Sequence, residues 1–281
     1  MKQLRSLTLA SRQAPTHWQR HFASLLAILL TMMTALAHAD VTSREIRYEV
    51  EGEPYTGYLA FDDSVQGERP GILVVHEWWG HGDYVRKRAD MLARLGYTAF
   101  ALDMYGSDKY ADHPEKAQAF MQAVMSNRQQ AEARFRKAMD VLKEQPQTDS
   151  DSIAALGYCF GGAVVLNMAR RGLDLEGVIS YHGMLGTDKP ASKGDIKAEV
   201  LVFNGEADPM VPAEQVAAFE KEMSEADVDY RVVNYEGAKH AFTNSDATEA
   251  GERFDLPLAY DPEADADSWR QTQQFLEQLF D

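Results

Sequence analysis

The sequence is poor in cysteine and in positive charge. Its 281 residues include one cysteine, Cys159. A single thiol cannot close an internal disulfide or build a multi-thiolate metal site. It is left as a packing residue or a nucleophile. Lysine and arginine number 28 against 44 acids. Four of those cations, Lys2, Arg5, Arg12 and Arg20, fall in residues 1–39, where there is no acid, so the rest of the chain carries 24 bases and a net charge of −20. Such a surface repels phosphate backbones and argues against nucleic acid as a partner. Internal repeats, low-complexity tracts and a linker after Asp40 are also lacking, which points to one folded domain over residues 40–281.

Long apolar runs are scarce too. One exists, residues 22–36, behind a basic stretch that ends at Arg20-His21 and ahead of Ala37-His38-Ala39. Basic, apolar, then small-x-small is the order of a secretory signal with its cleavage site. The run is shorter than the roughly 20 residues that a membrane-spanning helix needs, so a retained anchor is the weaker alternative. Residues 1–39 are therefore expected to be a signal peptide. The mature protein is expected in the periplasm or outside the cell, with no membrane attachment after removal. Disulfides are usual in such compartments, so a lone thiol there points to a chemical role.

What is present is an alternation of strand and helix patterns. Residues 44–50 and 55–61 read as two strands joined around Gly52. Residues 71–76 form a continuous apolar run, as for a strand buried on both faces. Val85, Ala89, Leu92 and Leu95 then recur with helical spacing, with Asp83 as a cap and Gly96 as a stop. Residues 97–102 form the next strand. Asp112 and Pro114 open a long helical stretch to about Glu144, interrupted near Ser126-Asn127. Strands at 153–157, 177–181, 200–204 and 230–234 alternate with helices at 162–171 and 212–223, and a last helix carries Trp269, Phe275, Leu276 and Leu279. Repeated β-α alternation implies an α/β fold, a mainly parallel sheet with helices on both faces. Reactive groups in such sheets gather at the carboxyl ends of strands.

Three candidate residues sit at such ends. Cys159 lies in Gly157-Tyr158-Cys159-Phe160-Gly161-Gly162, after an apolar strand and before a helix. This is the pattern of a nucleophile elbow with cysteine for serine, where small neighbours are needed because strand and helix converge. The helix N-terminus favours a thiolate there. Asp208 follows the strand at 200–204, and His240 follows the strand at 230–234. Taken singly, Asp208 reads as a turn or cap residue and His240 as a surface histidine. Nucleophile, acid, histidine is the chain order of α/β-hydrolases, and together they form a candidate catalytic triad. Backbone N–H groups of Phe160 and of Trp78, in the loop after the third strand, are the candidate oxyanion hole. The pair His76 and His81 around Glu77 has the wrong spacing for a helical zinc motif, which needs histidines four apart.

At these residues the chain resembles the dienelactone hydrolases. The family's cysteine elbow G-x-C-x-G-G is met at 157–162, and its His-Glu-x-x-Gly segment at His76-Glu77-Trp78-Trp79-Gly80. Asp103-Met104-Tyr105 is similar to its Asp-Leu-Tyr, and Tyr181-His182-Gly183 to its Tyr-Tyr-Gly. Tyr260-Asp261-Pro262 and residues 266–270 are similar to its C-terminal segment. The resemblance implies an α/β-hydrolase fold and hydrolysis of small esters or lactones through a thioester. It implies no metal or organic cofactor. It makes Glu77 a fourth catalytic residue, one that ionises the thiol when substrate arrives. The Trp78 and Trp79 side chains are candidates either to wall an apolar substrate pocket or to pack their loop, and Trp79, Tyr105, Tyr181 and Phe242 are the expected pocket residues. The family's carboxylate-binding arginines are missing: the corresponding stretches, residues 105–109 and 240–244, hold none, and Lys109 cannot reproduce a guanidinium fork. The substrate within the ester class thus stays open. A thioesterase or general carboxylesterase is the alternative enzyme. A periplasmic binding protein and a thiol redox sensor are the non-hydrolytic alternatives. The oligomeric state is not legible.

The signal pattern makes a direct prediction. Intact-mass measurement of the exported protein should give Asp40 as the first residue, and a mature product that retains Met1 would refute cleavage.

Overall fold

The computed structural model describes residues 41–281; the expected signal segment lies outside them. Strand β1 (Val41–Val50) turns at Glu51 and Gly52, both at positive φ, into β2 (Glu53–Asp62). The chain continues through β3 (Arg69–Val75), α1 (Asp83–Ala93), β4 (Thr98–Leu102), α2 (Pro114–Met125) and α3 (Arg128–Lys143). It then forms β5 (Thr148–Tyr158), α4 (Phe160–Arg170), β6 (Gly177–Tyr181), β7 (Glu199–Gly205) and α5 (Ala213–Glu225). Strand β8 (Tyr230–Tyr235) and helices α6 (Ala247–Phe254) and α7 (Pro262–Phe280) complete it.

The strands form one eight-stranded sheet in the order β1-β2-β4-β3-β5-β6-β7-β8. Pairing from β4 to β8 is parallel, and β1 and β2 are antiparallel additions at one edge. Alternate strand residues face opposite layers. Leu73, Val75, Phe100 and Leu102 pack in one core with Phe135 of α3, Val165 of α4 and Phe219 of α5. Ile72, Val74, Ala99 and Ala101 pack in a second core with Val85 and Leu92 of α1 and Phe275 and Leu276 of α7. The α/β sheet with helices on both faces is the fold that the alternation implies.

Several boundaries differ for local reasons. The long helical stretch divides, because the Asn127 side chain accepts from the Gln130 N–H at 3.1 Å and starts α3 afresh. At α1, Gly82 takes the cap position, and Asp83 is the first helical residue. Strand β5 begins five residues earlier than its apolar core, since Thr148 and Asp149 pair with Arg69 and Pro70 across a register shift. Helix α6 has no counterpart in the sequence pattern. It is eight residues long and ends at Asp255 in the left-handed region, and its apolar face of Ala247, Ala250, Gly251 and Phe254 consists mostly of small residues, a weak signal over so short a span.

Candidate active site

Chemistry-bearing residues cluster just beyond the carboxyl ends of β3 to β8. Strand β5 runs directly into Cys159, whose backbone sits at φ 55° and ψ −115°, and α4 begins with the next residue. A non-glycine residue there is strained by about 1–3 kcal/mol, so neighbours must hold it. Gly157 and Gly161 allow the closure. A Cβ on Gly157 would lie 2.1 Å from the Gly161 carbonyl oxygen, and one on Gly161 would lie 2.3 Å from the Val75 carbonyl oxygen. The Cys159 N–H donates to the Tyr181 carbonyl at 3.0 Å and to Nδ1 of His182 at 3.1 Å.

His240 and Asp208 meet as expected. Nδ1 of His240 is 2.7 Å from Oδ2 of Asp208, and both side chains are buried. The other Asp208 oxygen accepts from the Met210 N–H at 2.8 Å. Nε2 of His240 is buried with no hydrogen-bond partner among the described residues. Burial disfavours the imidazolium, but the facing Cys159 sulfur and the hydrogen bond that Nδ1 donates to Asp208 outweigh it, and the pKa is raised. Cys159 and His240 open into one cavity of about 490 Å³, walled by Trp78, Phe160, Met121, Met125, Met184 and Met210. The N–H groups of Phe160 and Trp78 have no hydrogen-bond partner among the described residues. Trp78 is held by its carbonyl, which accepts from the Tyr105 hydroxyl at 3.0 Å, while Asp103 accepts from the Tyr105 and Gly106 N–H groups.

Glu77 sits elsewhere than a simple approach to the thiol requires. It is 4% exposed and accepts from the Asn244 side-chain amide at 2.7 Å through Oε2, while Oε1 is buried without a partner among the described residues. It lines a separate polar cavity of about 760 Å³ to which Cys159 does not contribute. Burial pushes its pKa up to about 7, against the Asn244 hydrogen bond and the positive charges of His240 and Arg88. His76 and His81 bond backbone carbonyl oxygens, those of Glu77 at 2.6 Å and Ala101 at 2.9 Å, and burial holds both down at about 4. They are neutral structural histidines.

The expected pocket residues need correction. Tyr105 is buried against His76, Phe120 and Phe160, and its role is to hold Trp78. Tyr181 is fully buried, stacked on Tyr158 and hydrogen-bonded to Thr272. Phe242 is fully buried in the second core. Trp79 lines the Glu77 cavity. None of the four walls the cavity that holds Cys159. Strand alternation turns Tyr181 towards the helix layer of α7, and methionines from α2 and two loops take the wall instead.

Two residues escaped the sequence reading. His182, at φ 40°, bridges the Cys159 N–H and, through Nε2 at 2.8 Å, the Thr243 hydroxyl in the His240 loop. Burial, then the charge of His240, pushes its pKa well down, so it stays neutral. Its Nδ1 accepts from Cys159, so Nε2 carries the proton and donates to Thr243. Arg88 of α1 is also buried; it donates to the Thr243 carbonyl and to Asp265 of α7, both at 2.6 Å. The histidine beside Tyr181 was a visible signal. Arg88 resembled any exposed helical arginine.

The family profile described as "Dienelactone hydrolase family" matches residues 55–280. The chain belongs to this family. Among its relatives, "Protein usf" of Aquifex pyrophilus is 30% identical over 238 residues, 83% of this chain and 97% of that protein. Two solved structures are similar across 86% of this chain and 99% of their own. One is the dienelactone hydrolase-like promiscuous phosphotriesterase from metagenomic libraries, with 33% identity and a TM-score of 0.79. The other is m3DLH, with 35% identity and a TM-score of 0.81. As a dienelactone hydrolase family member, the chain is a hydrolase on an α/β-hydrolase fold. Its departure is local: in the stretch after His240, where the family keeps an arginine, Asn244 binds Glu77.

Glu77 makes stability depend on pH. Its folded pKa of about 7 lies above the ordinary 4.5, so the folded state holds the proton longer than the unfolded chain does. Below pH 4.5 both states are protonated and no difference arises; from pH 4.5 to 7 stability is lost as pH rises. The full loss is about 3 kcal/mol. Glu77→Gln should therefore raise Tm at pH 8 and leave it nearly unchanged at pH 4. An equal offset at both values would overturn the assignment.

Proposed function

We infer that the protein hydrolyses small carboxylic esters or lactones, with Cys159 as nucleophile and His240 and Asp208 as its partners. The observation that carries this reading is the meeting of a thiol, on a strained elbow at a helix N-terminus, with a buried His240–Asp208 pair in one apolar cavity. A histidine oriented by a carboxylate at Nδ1 presents Nε2 to the reacting groups, and here Nε2 is the nitrogen left without a partner.

The reaction balances as follows. The Cys159 proton is taken up by Glu77 once substrate shifts that carboxylate from Asn244; a group near pKa 7 is suited to accept a proton at neutral pH. The thiolate sulfur attacks the ester carbonyl carbon, and the carbonyl oxygen becomes an oxyanion facing the free N–H groups of Phe160 and Trp78. The carbon–oxygen bond to the leaving group breaks, and His240, kept protonated beside the thiolate, gives its proton to the departing oxygen. His240 then takes a proton from water, whose oxygen attacks the thioester. Breakage of the carbon–sulfur bond releases the acid and leaves the thiolate, and Glu77 returns its proton to the sulfur, which restores the thiol. Asp208 holds His240 in the required tautomer throughout. The N-terminal signal pattern supports action outside the cytoplasm.

Iodoacetamide should label Cys159 and abolish turnover of an aryl ester, and Cys159→Ala should be inactive; full activity in that variant would sink the mechanism. Glu77→Gln should lower kcat/KM for esters by about 10² to 10⁴, the range of a general base, while alkylation of the resting thiol by a small neutral reagent falls far less. Wild-type turnover in Glu77→Gln would leave thiol activation to His240 alone.

A further inference from the structure

Beside the cavity at Cys159 lies a third cavity, of about 470 Å³, and the two share Met125, Asn167, Met184 and Gly186. Helix α4 runs along both. Phe160, Ala163 and Asn167, on one helical face, line the first cavity, and Asn167, Arg170 and Arg171 continue that face along the other. At about 1.5 Å per residue, Arg171 stands about 18 Å along the axis from Cys159.

The character of the wall changes along this path. Beside the thiol it is apolar, with methionines that adapt to flexible chains. At the far end Arg128, Arg170, Arg171 and Lys189 line the cavity, against Asp188 as its one acid. The lining is thus cationic, with Glu222 and Glu132 paired to Arg170 and Arg171 from behind it, in a chain whose net charge is −16. Arg128 also opens α3, so the positive end of that helix adds to the field. Arg170 is held by both Glu222 oxygens at 2.8 Å and by the Leu185 carbonyl, yet its Nη1 is buried with no partner among the described residues. A buried guanidinium nitrogen without an acceptor is costly. The pair Arg128–Asp188 is exposed, 54% and 69%, and such pairs contribute little, so Arg128 is free to turn to a better anion.

We propose that the substrate is an ester whose medium-length apolar chain ends in an anionic group. The reacting carbonyl lies at Cys159, the chain runs along α4 between the methionines, and the anion sits among Arg128, Arg171 and Lys189, backed by Arg170. This rests on the hydrolase reading and deepens it. It also moves the anion site away from the triad, where the sequence lacks arginine.

The test compares aryl esters whose acyl chains end in a methyl, a carboxylate or a phosphate group, with the aryl acetate as control. At low ionic strength one of the anionic chains should exceed its methyl counterpart in kcat/KM by about ten- to a hundredfold, the worth of charge-assisted hydrogen bonds, and the better of the two identifies the anion. Salt should reduce the gain. Arg128→Glu combined with Arg171→Gln should abolish it and leave aryl acetate hydrolysis unchanged. No gain for either anion, or a gain that survives both substitutions, overturns the proposal. Calorimetry of a medium-chain dicarboxylate against the monocarboxylate on the wild-type protein reads the site without turnover. If aryl acetate is not hydrolysed, the hydrolase reading fails, and tighter binding of the dicarboxylate, lost in the double variant, still decides the anion site.

Discussion

The contact between Gly161 and the end of β3 is the constraint on which the site depends. Residue 161 must pass so close to the Val75 carbonyl that no Cβ fits. That approach brings the start of α4 against the loop holding Glu77 and Trp78. It puts the N–H of Phe160 and the N–H of Trp78 on one cavity, and it forces Cys159 into a backbone conformation that L-residues avoid. The strain is held by hydrogen bonds from the Cys159 N–H to the end of β6. Helix placement and the presentation of the half-buried sulfur to the cavity follow from one packing requirement.

Around that elbow, burial selects charge states. His76 and His182 are buried and His81 half-buried, and all three are kept neutral, each with a hydrogen bond that fixes its ring. His240 alone among these four is raised, because it alone faces both the Cys159 sulfur and the carboxylate of Asp208. Glu77 is moved in the uncharging direction by the same desolvation. A low-dielectric environment thus separates residues of one chemical type into inert supports and proton carriers.

The legible parts of the sequence were those written in local order. Cys159, Asp208 and His240 each follow an apolar strand, and parallel topology delivers strand ends to one edge of the sheet, so their meeting could be read without coordinates. Trp78 and Phe160 followed by the same logic. The pocket wall could not be read this way. Met121, Met125, Met184 and Met210 come from one helix and two separate loops and share no motif. Tyr181 and Phe242 neighbour the key positions in sequence but turn into the core, Tyr181 because successive strand residues face opposite layers and Phe242 because its turn packs it against His182 and Tyr235. Glu77 was placed in the right loop, yet its direction depends on Asn244, 167 residues away. Long-range hydrogen bonds of that kind leave no trace in spacing.

Arg88 ties together parts of the chain that are far apart in sequence. It joins α1 to the Thr243 carbonyl and to Asp265, while the rings of Tyr84, Tyr158 and Trp269 surround its guanidinium. The His240 loop is further pinned by backbone bonds from Ala259 and Asp261 just before α7. During synthesis, therefore, the elbow and the sheet centre can assemble while the histidine still lacks its anchor. The pairing of His240 with the elbow is complete only when the last helix docks, so a nascent or clipped chain would hold a formed elbow with its histidine loop unanchored.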